Sequence, residues 1–261
     1  MREAIGALAA LSALAGPATA ARAGATPCWI DHGAVVASAA FGDIAGDFII
    51  DLSRPVSALH ETRANQDGIT GEFARAPLTF AGERIAELNM PVVDLDAQTR
   101  PFDTVINGVI GWDVLGRYAV ELDLRRGRCR LTLTLPQRGV RRRPNALRLV
   151  EISAAPALPA AVSDGVDAQT GRFRIDTAQE AVQVAGARLS RPKEGKDASA
   201  PVRLRAVSVA GVLVEQVPAA VMEPPDAGVT GSLGLSVWRG GVLRLDPVER
   251  QATFRRPDQH P

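Results

Sequence analysis

Residues 108–124 read GVIGWDVLGRYAVELDL, and residues 231–247 read GSLGLSVWRGGVLRLDP. Four positions are identical at one constant spacing: Gly108, Gly111, Leu122 and Asp123 match Gly231, Gly234, Leu245 and Asp246. The two copies lie much further apart than the repeats of a solenoid, so they indicate a duplicated lobe rather than a solenoid array. The sequence therefore predicts two lobes of similar architecture.

A second pair of matching segments precedes the first pair, and in each copy an apolar run ends in aspartate. Residues 48–53 read FIIDLS, and residues 173–178 read FRIDTA. Taken singly, either aspartate is an acid in a turn at the end of a strand, which is common. Because both pairs recur in the same order, we expect Asp51 and Asp176 to occupy equivalent places in the two lobes.

The pattern within each half is typical of strands. Val120, Leu122 and Leu124 alternate with other residues, and the turn Arg125-Arg126-Gly127 leads into a second alternating run. The 24 glycines and 18 prolines are spread along the chain, which suits many short strands joined by turns. Short helices are expected only at 112–118 and 235–240, so the predicted class is all-β.

The composition argues against several classes of function. A formal net charge of +1 offers no broad attraction to nucleic acid or anionic membranes, and 4% aromatic residues leave few platforms for base stacking. The histidines His32, His60 and His260 are scattered, and no His/Cys cluster has metal-site spacing. We expect no cofactor, no metal and no nucleic-acid partner.

Two weaker patterns do not support other enzymes. Ser57 and His60 lie three residues apart, but the sequence has no G-x-S-x-G nucleophile motif. Gly108, Gly111 and Gly116 lack the spacing of a dinucleotide-binding fingerprint, and no alternating βαβ pattern surrounds them. We interpret both groups as turn and packing features.

The first twenty residues have the pattern of a cleavable export signal. Arg2 precedes the apolar stretch 4–15, Gly16-Pro17 ends it, and Ala18-Thr19-Ala20 fits the small-x-small cleavage rule. An anchor helix or a buried core helix is the alternative, but the stretch is short for a bilayer. We expect cleavage after Ala20, no membrane span, and a periplasmic or secreted protein.

The two cysteines agree with an oxidising compartment. Cys28 follows the predicted signal, and Cys129 lies near the end of the first half. Pairing would close a loop of about 100 residues and contribute roughly 4–5 kcal/mol in the chain-entropy model. Two separate buried thiols are the alternative, and we favour the disulfide.

A polar, basic segment divides the chain. Residues 136–148 read PQRGVRRRPNALR and form the predicted linker. Its arginine run, 141–143, is either a docking patch or, as we favour, a solvated connector. The predicted organisation is a signal peptide 1–20, an N-terminal lobe 24–135, a linker 136–148 and a C-terminal lobe 149–258.

The paired motifs resemble the pepsin and retropepsin superfamily of aspartic proteases. Each lobe in that superfamily has an apolar strand leading into Asp-Thr/Ser-Gly, and later an Ile/Leu-Gly segment before a short helix and a closing hairpin. The matching segments here are Ile49-Ile50-Asp51, Val109-Ile110-Gly111, Ile175-Asp176-Thr177 and Ser232-Leu233-Gly234. The first long segment is especially similar to bacterial retropepsin-type proteins. The resemblance implies two homologous β-barrel lobes.

The resemblance also implies a site. Asp51 and Asp176 would form a catalytic dyad that shares a proton and activates a water molecule. Supporting residues would be Ser53, Thr177, Gly111 and Gly234. A flap hairpin, placed within 61–83, would cover a peptide or protein substrate in the cleft between the lobes. We expect a monomer.

Both motifs depart from the superfamily pattern. Asp51 is followed by Leu52-Ser53 and Asp176 by Thr177-Ala178, where the pattern has Thr/Ser and then Gly. In the superfamily, the hydroxyl of the residue after each Asp crosses to the opposite lobe and locks the two loops together. Leu52 has no hydroxyl, so at most Thr177 would supply half of this lock. The main hypothesis is an exported aspartic-type endopeptidase; the alternatives are a catalytically impaired peptide-binding homologue and an envelope scaffold.

The acids Asp123 and Asp246, which also recur, are interpreted as structural residues beside hairpin turns.

Overall fold

The computed structural model describes residues 22–139, 143–185, 202–222 and 227–257. The predicted signal peptide and two residues of the 141–143 arginine run lie outside this part of the chain. Strands dominate the fold and the helices are short. None of the helices in the described ranges is long and apolar enough to span a membrane.

The first half contains ten strands and three helices. In chain order they are β1 (Arg22–Pro27), β2 (Trp29–Asp31), β3 (Ala34–Phe41), β4 (Ile44–Ile50), β5 (Ala58–His60), α1 (Glu61–Gln66), β6 (Phe73–Phe80), β7 (Glu83–Val93), α2 (Asp96–Thr99), β8 (Ile106–Ile110), α3 (Trp112–Leu115), β9 (Ala119–Asp123) and β10 (Arg130–Thr134).

The described part of the second half repeats this order with one helix. Its elements are β11 (Leu147–Arg148), β12 (Val150–Ile152), β13 (Ala155–Ser163), β14 (Ala168–Ile175), β15 (Val182–Ala185), β16 (Val202–Val209), β17 (Val212–Met222), β18 (Gly231–Leu233), α4 (Leu235–Trp238), β19 (Val242–Asp246) and β20 (Gln251–Arg255).

Each half closes a six-stranded barrel, as the resemblance implies. In the first barrel the strand order is β3-β4-β8-β5-β7-β6, and a pairing of β6 with β3 closes the ring. In the second barrel the order is β13-β14-β18-β15-β17-β16, closed by β13 and β16. The two rings are the same arrangement in the same chain order, so the duplication seen in the sequence is a duplication of topology.

A third sheet joins the two halves. Its strand order is β1-β10-β9-β19-β20-β11, with antiparallel pairing of β9 and β19 at its centre. The predicted closing hairpins, β9–β10 and β19–β20, are both present. The sequence did not predict that they pair with each other. Since strands from both halves lie in one sheet, the barrels are fixed to a common support.

The strand that leads to Asp51 is buried on both faces. Phe48 and Ile50 belong to the main hydrophobic core, whereas Ile49 belongs to a smaller cluster that also contains Val36 and Val109. A continuous apolar run is typical of a strand with no solvent-facing side. The end of β4 is therefore held from both sides, which fixes the backbone on which the next residue depends.

Candidate active site

Asp51 and Asp176 follow the last residues of equivalent strands. Strand β4 runs parallel to β8, and β14 runs parallel to β18. The Asp51 N–H donates to the carbonyl of Ile110, and the Asp176 N–H donates to that of Leu233, both at 3.0 Å. The backbone of each aspartate is thus fixed by the residue just before a glycine of the internal repeat, Gly111 or Gly234.

The structure brings these two carboxyl groups, which are distant in the sequence, into one buried environment. Asp51 is 6% exposed and Asp176 is 7% exposed. Burial raises the pKa of Asp51. Burial, together with the charge of Asp51, raises the pKa of Asp176 to about 7. Asp51 therefore lies close enough to Asp176 for its charge to oppose ionisation of the Asp176 carboxyl.

Short hydrogen bonds orient each carboxylate. Oδ1 of Asp51 accepts from the Ser53 N–H at 2.8 Å and from the Ser53 hydroxyl at 2.7 Å. Oδ1 of Asp176 accepts from the Ala178 N–H at 2.9 Å, and its Oδ2 accepts from Nε2 of Gln179 at 2.5 Å. Ser53 also lowers the pKa of Asp176 through its side chain, so it contributes to both acids.

Thr177 crosses between the two halves. Its fully buried hydroxyl donates to the Ile50 carbonyl at 2.6 Å and accepts from the Leu52 N–H at 3.1 Å. The Thr177 carbonyl accepts from the Val35 N–H at 2.8 Å. Leu52, at the matching place in the first half, is 1% exposed and packs in the hydrophobic core. Thr177 thus bonds to the backbone on both sides of Asp51 through its side chain, whereas Leu52 only packs.

Gly111 and Gly234 allow the backbone to pass close to the aspartate loops. A methyl group on Gly111 would lie 2.7 Å from the Arg54 carbonyl oxygen, and one on Gly234 would lie 2.2 Å from that of Ala181. The residues that follow them bind the same loops: the Trp112 N–H donates to Arg54 and the Leu235 N–H donates to Gln179, both at 2.8 Å. Only glycine fits at these approaches.

Ser53 and Ala178 replace the expected motif glycines, and the structure accommodates both side chains. Ser53 uses its hydroxyl to bind Asp51. Ala178 packs against the small cluster of Val36, Ile49 and Val109 from the other half. The backbone N–H of each still donates to the preceding aspartate, so the loop geometry survives the loss of glycine.

The segment in which we expected a flap contains a helix and the first strand of a hairpin. Residues 61–66 form helix α1, and β6 pairs with β7 through a turn at residues 81–82. Strand β6 also pairs with β3 in the barrel wall. The turn is packed, since Ala81 is 5% exposed and its carbonyl lies against Gly24. A flap over the cleft stays a prediction.

Other residues considered in the sequence have structural partners. The Ser57 hydroxyl donates to Asp113 at 2.6 Å and accepts from the Gly111 N–H, whereas Nε2 of His60 lies 3.2 Å from Asp96. Ser57 and His60 thus serve separate contacts, as interpreted above.

The recurring acids bind turns. Asp123 accepts from the backbone and side chain of Arg125, which lowers the pKa of Asp123, and Asp246 accepts from the Glu249 N–H.

Cys28 and Cys129 form a disulfide bond, as favoured from the sequence. It ties the residue after β1 to the residue before β10, and the Cys28 N–H also donates to the Cys129 carbonyl. The link therefore reinforces the edge of the shared sheet.

One cluster was not suggested by the sequence. Ligand atoms of Asp31, His32 and Asp103 lie within 4.8 Å of one another, with His32 and Asp103 exposed. Asp31 ends β2, His32 lies in the turn that follows, and Asp103 precedes β8. No second observation links the cluster to an ion.

Comparison with known proteins supports the fold. No family model matches the chain, and no curated protein sequence is significantly similar to it. The aspartic proteinase from Irpex lacteus matches with a TM-score of 0.54 and 10% sequence identity, over 90% of this chain and 97% of that one. The chain has an aspartic-proteinase fold. At this identity the likeness concerns architecture, and the chemistry of the site depends on the residues of this chain.

Gln179 is the site residue that the sequence analysis missed. It lies three positions after Asp176, where a motif comparison limited to Asp-x-x does not reach. The detectable signal was a polar side chain immediately after a buried Asp-Thr-Ala loop.

Proposed function

We propose that this protein is an aspartic-type endopeptidase in which Asp51 and Asp176 share one proton and activate a water molecule. The observation that carries the proposal is the pair of buried, mutually interacting carboxyls at equivalent strand ends. Two such acids do not ionise independently, and the singly protonated pair contains both a base and an acid.

The proposed reaction needs no covalent intermediate. One carboxylate takes a proton from water, whose oxygen attacks the peptide carbonyl carbon, while the protonated partner donates to the carbonyl oxygen. Collapse of the tetrahedral intermediate breaks the C–N bond. The proton taken from water passes to the leaving nitrogen, and a hydroxyl proton of the intermediate returns to the other carboxyl. An extended peptide between the barrels is the proposed substrate.

The raised pKa of Asp176 gives the proposal an upper pH limit. Burial and the charge of Asp51, which is then already ionised, both oppose ionisation of Asp176, so the pair keeps one proton up to about pH 7 and loses it above that pH. Cleavage should therefore fall as the pH rises through about 7.

The test is peptide-library cleavage from pH 3 to pH 9 with Asp51→Asn and Asp176→Asn. We expect each substitution to remove activity at every pH, while the matched surface variant Asp43→Asn retains it. Activity that survives in either dyad variant would refute the mechanism.

A non-catalytic peptide-binding protein is the second candidate. The specific observation in its favour is that Leu52 contributes no hydroxyl to the lock between the barrels. Without that hydroxyl the two loops are held less rigidly, and a misplacement of the reacting groups by about 1 Å can lower the rate about 100-fold. An inert wild-type chain that still binds extended peptides would support this candidate.

Export is part of the proposal. The Cys28–Cys129 disulfide supports an oxidising compartment, because such bonds are rare where thiols are kept reduced. The N-terminal apolar stretch supports the same assignment from the sequence.

A further inference from the structure

Three arginines surround two adjoining cavities on the second half of the chain. One cavity, of about 390 Å³, is lined by Arg148 and Arg250, and the other, of about 270 Å³, is lined by Arg148 and Arg172. Both are also lined by Val150 and Glu151, so they are continuous, and we call them together the arginine pocket. Three arginines and one glutamate line this pocket, which gives it an excess of two positive charges.

The strands of the second half fix the backbone at all three arginines. Arg148 ends β11, and Arg250 directly precedes β20, with which β11 pairs. The Leu149 N–H donates to the Arg250 carbonyl at 2.9 Å. Arg172 lies in β14 opposite Pro159, which also lines the pocket. The three arginines are therefore neighbours because of strand pairing.

Within the part of the chain that the structure describes, no acidic side chain pairs with these arginines. None of the three has a side-chain hydrogen bond or an ion pair to another described residue. Glu151 lines the pocket, but its Oε1 accepts from Nε1 of Trp112 at 2.9 Å. An arginine side chain presents a planar fork of N–H donors that matches the oxygens of a carboxylate or a phosphate. The pocket therefore offers three unused forks to an anion.

The positive charge is not a consequence of the duplicated architecture. Where the second half has Arg172 opposite Pro159, the first half has Asp47 opposite Ser38. The Ser38 hydroxyl donates to Asp47 at 3.4 Å. The same two strands thus carry an acid in one barrel and a base in the other, so the arginine belongs to the second half alone.

The corresponding cavity of the first half has arginines that are already paired. This cavity, of about 580 Å³, lies at the β9–β10 hairpin and is lined by four arginines. Nη2 of Arg125 and Nη1 of Arg128 lie 2.7 and 3.5 Å from Oδ2 of Asp123, and Nη2 of Arg239 lies 2.7 Å from Oε2 of Glu180. Arginines that only stabilise the fold have such partners, and those of the arginine pocket do not.

The backbone of Arg250 gives separate support. Its φ angle is +50°, in the left-handed region that favours glycine because a Cβ atom is strained there. Strained backbone of this kind is found most often at functional sites. A long cationic side chain at this turn position indicates that the guanidinium group has a use.

We propose that the arginine pocket binds a phosphate group that carries two negative charges. A phosphate monoester has a charge of about −1.5 to −2 at pH 7 and three acceptor oxygens. A carboxylate has a single charge and two oxygens, so it would leave part of the pocket unpaired. Both a soluble phosphate and the monoester headgroup of a lipid have this chemistry. The proposal goes beyond the peptidase activity and does not depend on Asp51 or Asp176.

Calorimetric titration of the full chain with inorganic phosphate at neutral pH is the first test. We expect saturable binding by the wild type, and none by acetate at the same concentrations. Arg148→Gln removes the arginine shared by both cavities and should weaken phosphate binding about tenfold, the effect of losing a hydrogen bond to a charged group. Arg84→Gln, at an exposed arginine of β7, is the matched control and should bind as the wild type does.

Arg250→Gly provides a second variant that does not threaten folding. Glycine accepts the positive φ at this turn without strain, so the substitution removes the guanidinium group and leaves the backbone in place. We expect weakening of phosphate binding similar to that in Arg148→Gln, with no loss of thermal stability. Phosphate binding that is unchanged in both variants, or acetate binding as strong as that of phosphate, would overturn the proposal.

Cosedimentation with vesicles identifies the source of the phosphate. The wild type is mixed with vesicles of phosphatidylcholine alone and with vesicles that also contain phosphatidic acid, whose headgroup is a phosphate monoester. Binding to the second kind only, reduced in Arg148→Gln and not in Arg84→Gln, would assign a lipid; binding of inorganic phosphate without vesicle binding would assign a soluble ligand. A chain that binds neither probe, or that loses vesicle binding equally in both variants, would refute the site.

Discussion

Thr177 is the residue through which the second half holds the loop of the first. Its hydroxyl is bonded on both sides, to the Ile50 carbonyl and the Leu52 N–H, and is completely buried. Asp51 lies between those two residues. The position of the Asp51 backbone is therefore set by a side chain from the other barrel, whereas Leu52 contributes only apolar packing in return.

Replacing Thr177 by valine should lower the free energy of unfolding, although the two side chains have nearly the same size. The shape of the side chain is nearly kept, but a buried donor and a buried acceptor lose their partner, which costs about 1–3 kcal/mol. Urea unfolding should show this loss, while Thr170→Val at an exposed position of the preceding strand, β14, should change stability by less than about 0.5 kcal/mol. Equal effects of the two substitutions would mean that the crossing bonds contribute little.

The raised pKa of Asp176 also makes the folded protein sensitive to pH. The folded state holds this proton more tightly than the unfolded state, whose pKa is near 3.8. The stabilising contribution is complete below pH 3.8 and is lost as the pH rises through about 7. We expect the free energy of unfolding to fall between pH 4 and pH 8 by roughly 1–4 kcal/mol more in the wild type than in Asp176→Asn.

Chemical denaturation at several pH values measures that difference. Asp43→Asn is the control, because Asp43 is exposed and should leave the pH dependence of the wild type unchanged. Parallel curves for the wild type and Asp176→Asn would contradict the assignment.

At the level of strands and turns, the sequence predicts most of what is local. Alternation along 119–124 and the Arg125-Arg126-Gly127 turn predict the β9–β10 hairpin, which forms with Leu122 opposite Leu131. The helices after Gly111 and Gly234 begin where expected and are shorter, ending at Leu115 and Trp238. These features follow from neighbours in the chain, so a pattern in the sequence is enough.

Features that depend on distant strands were not predicted. Nothing in β9 alone indicates that its free edge pairs with β19 rather than with solvent. The pairing of β6 with β3, which closes the first barrel, was not predicted for the same reason, because β3 is distant in the chain. The order of the strands depends on how the barrel closes, and the alternation of apolar residues along a single strand does not specify it.

The candidate site was partly predictable because the duplication allowed one half of the sequence to be compared with the other. Asp51 and Asp176 were found as a matched pair, and Thr177 was assigned its crossing contact. Gln179 was missed because its counterpart by position is Arg54, which makes no equivalent contact. A search for repeats detects the symmetric part of a site, and the residues that distinguish its two halves need the three-dimensional structure.

For the molecule as a whole, the shared sheet decides how the barrels are placed. Arg244 of β19 lies opposite Glu121 of β9, with Nη1 3.6 Å from Oε2. Arg143 lies near the same pair: burial lowers its pKa, the cations of Arg244 and Arg255 lower it further, and the anions Glu121 and Asp246 act in the opposite direction. Glu121 is therefore an anion beside several arginines at the junction between the halves.

This charge distribution predicts unequal effects of reversing the two members of the pair. Glu121→Arg places a cation beside Arg244 and Arg143 and should destabilise the full chain by about 1 kcal/mol, the upper range for a cross-strand pair. Arg244→Glu repels Glu121 but attracts Arg143, so its cost should be smaller. The double variant should recover part of the loss from Glu121→Arg, since opposite charges face each other again. Urea unfolding of the wild type, the two single variants and the double variant measures each change in the free energy of unfolding. High salt should reduce all of these changes. Equal costs for the two single reversals, or no recovery in the double variant, would show that charges at the centre of the sheet do not influence how the barrels are joined.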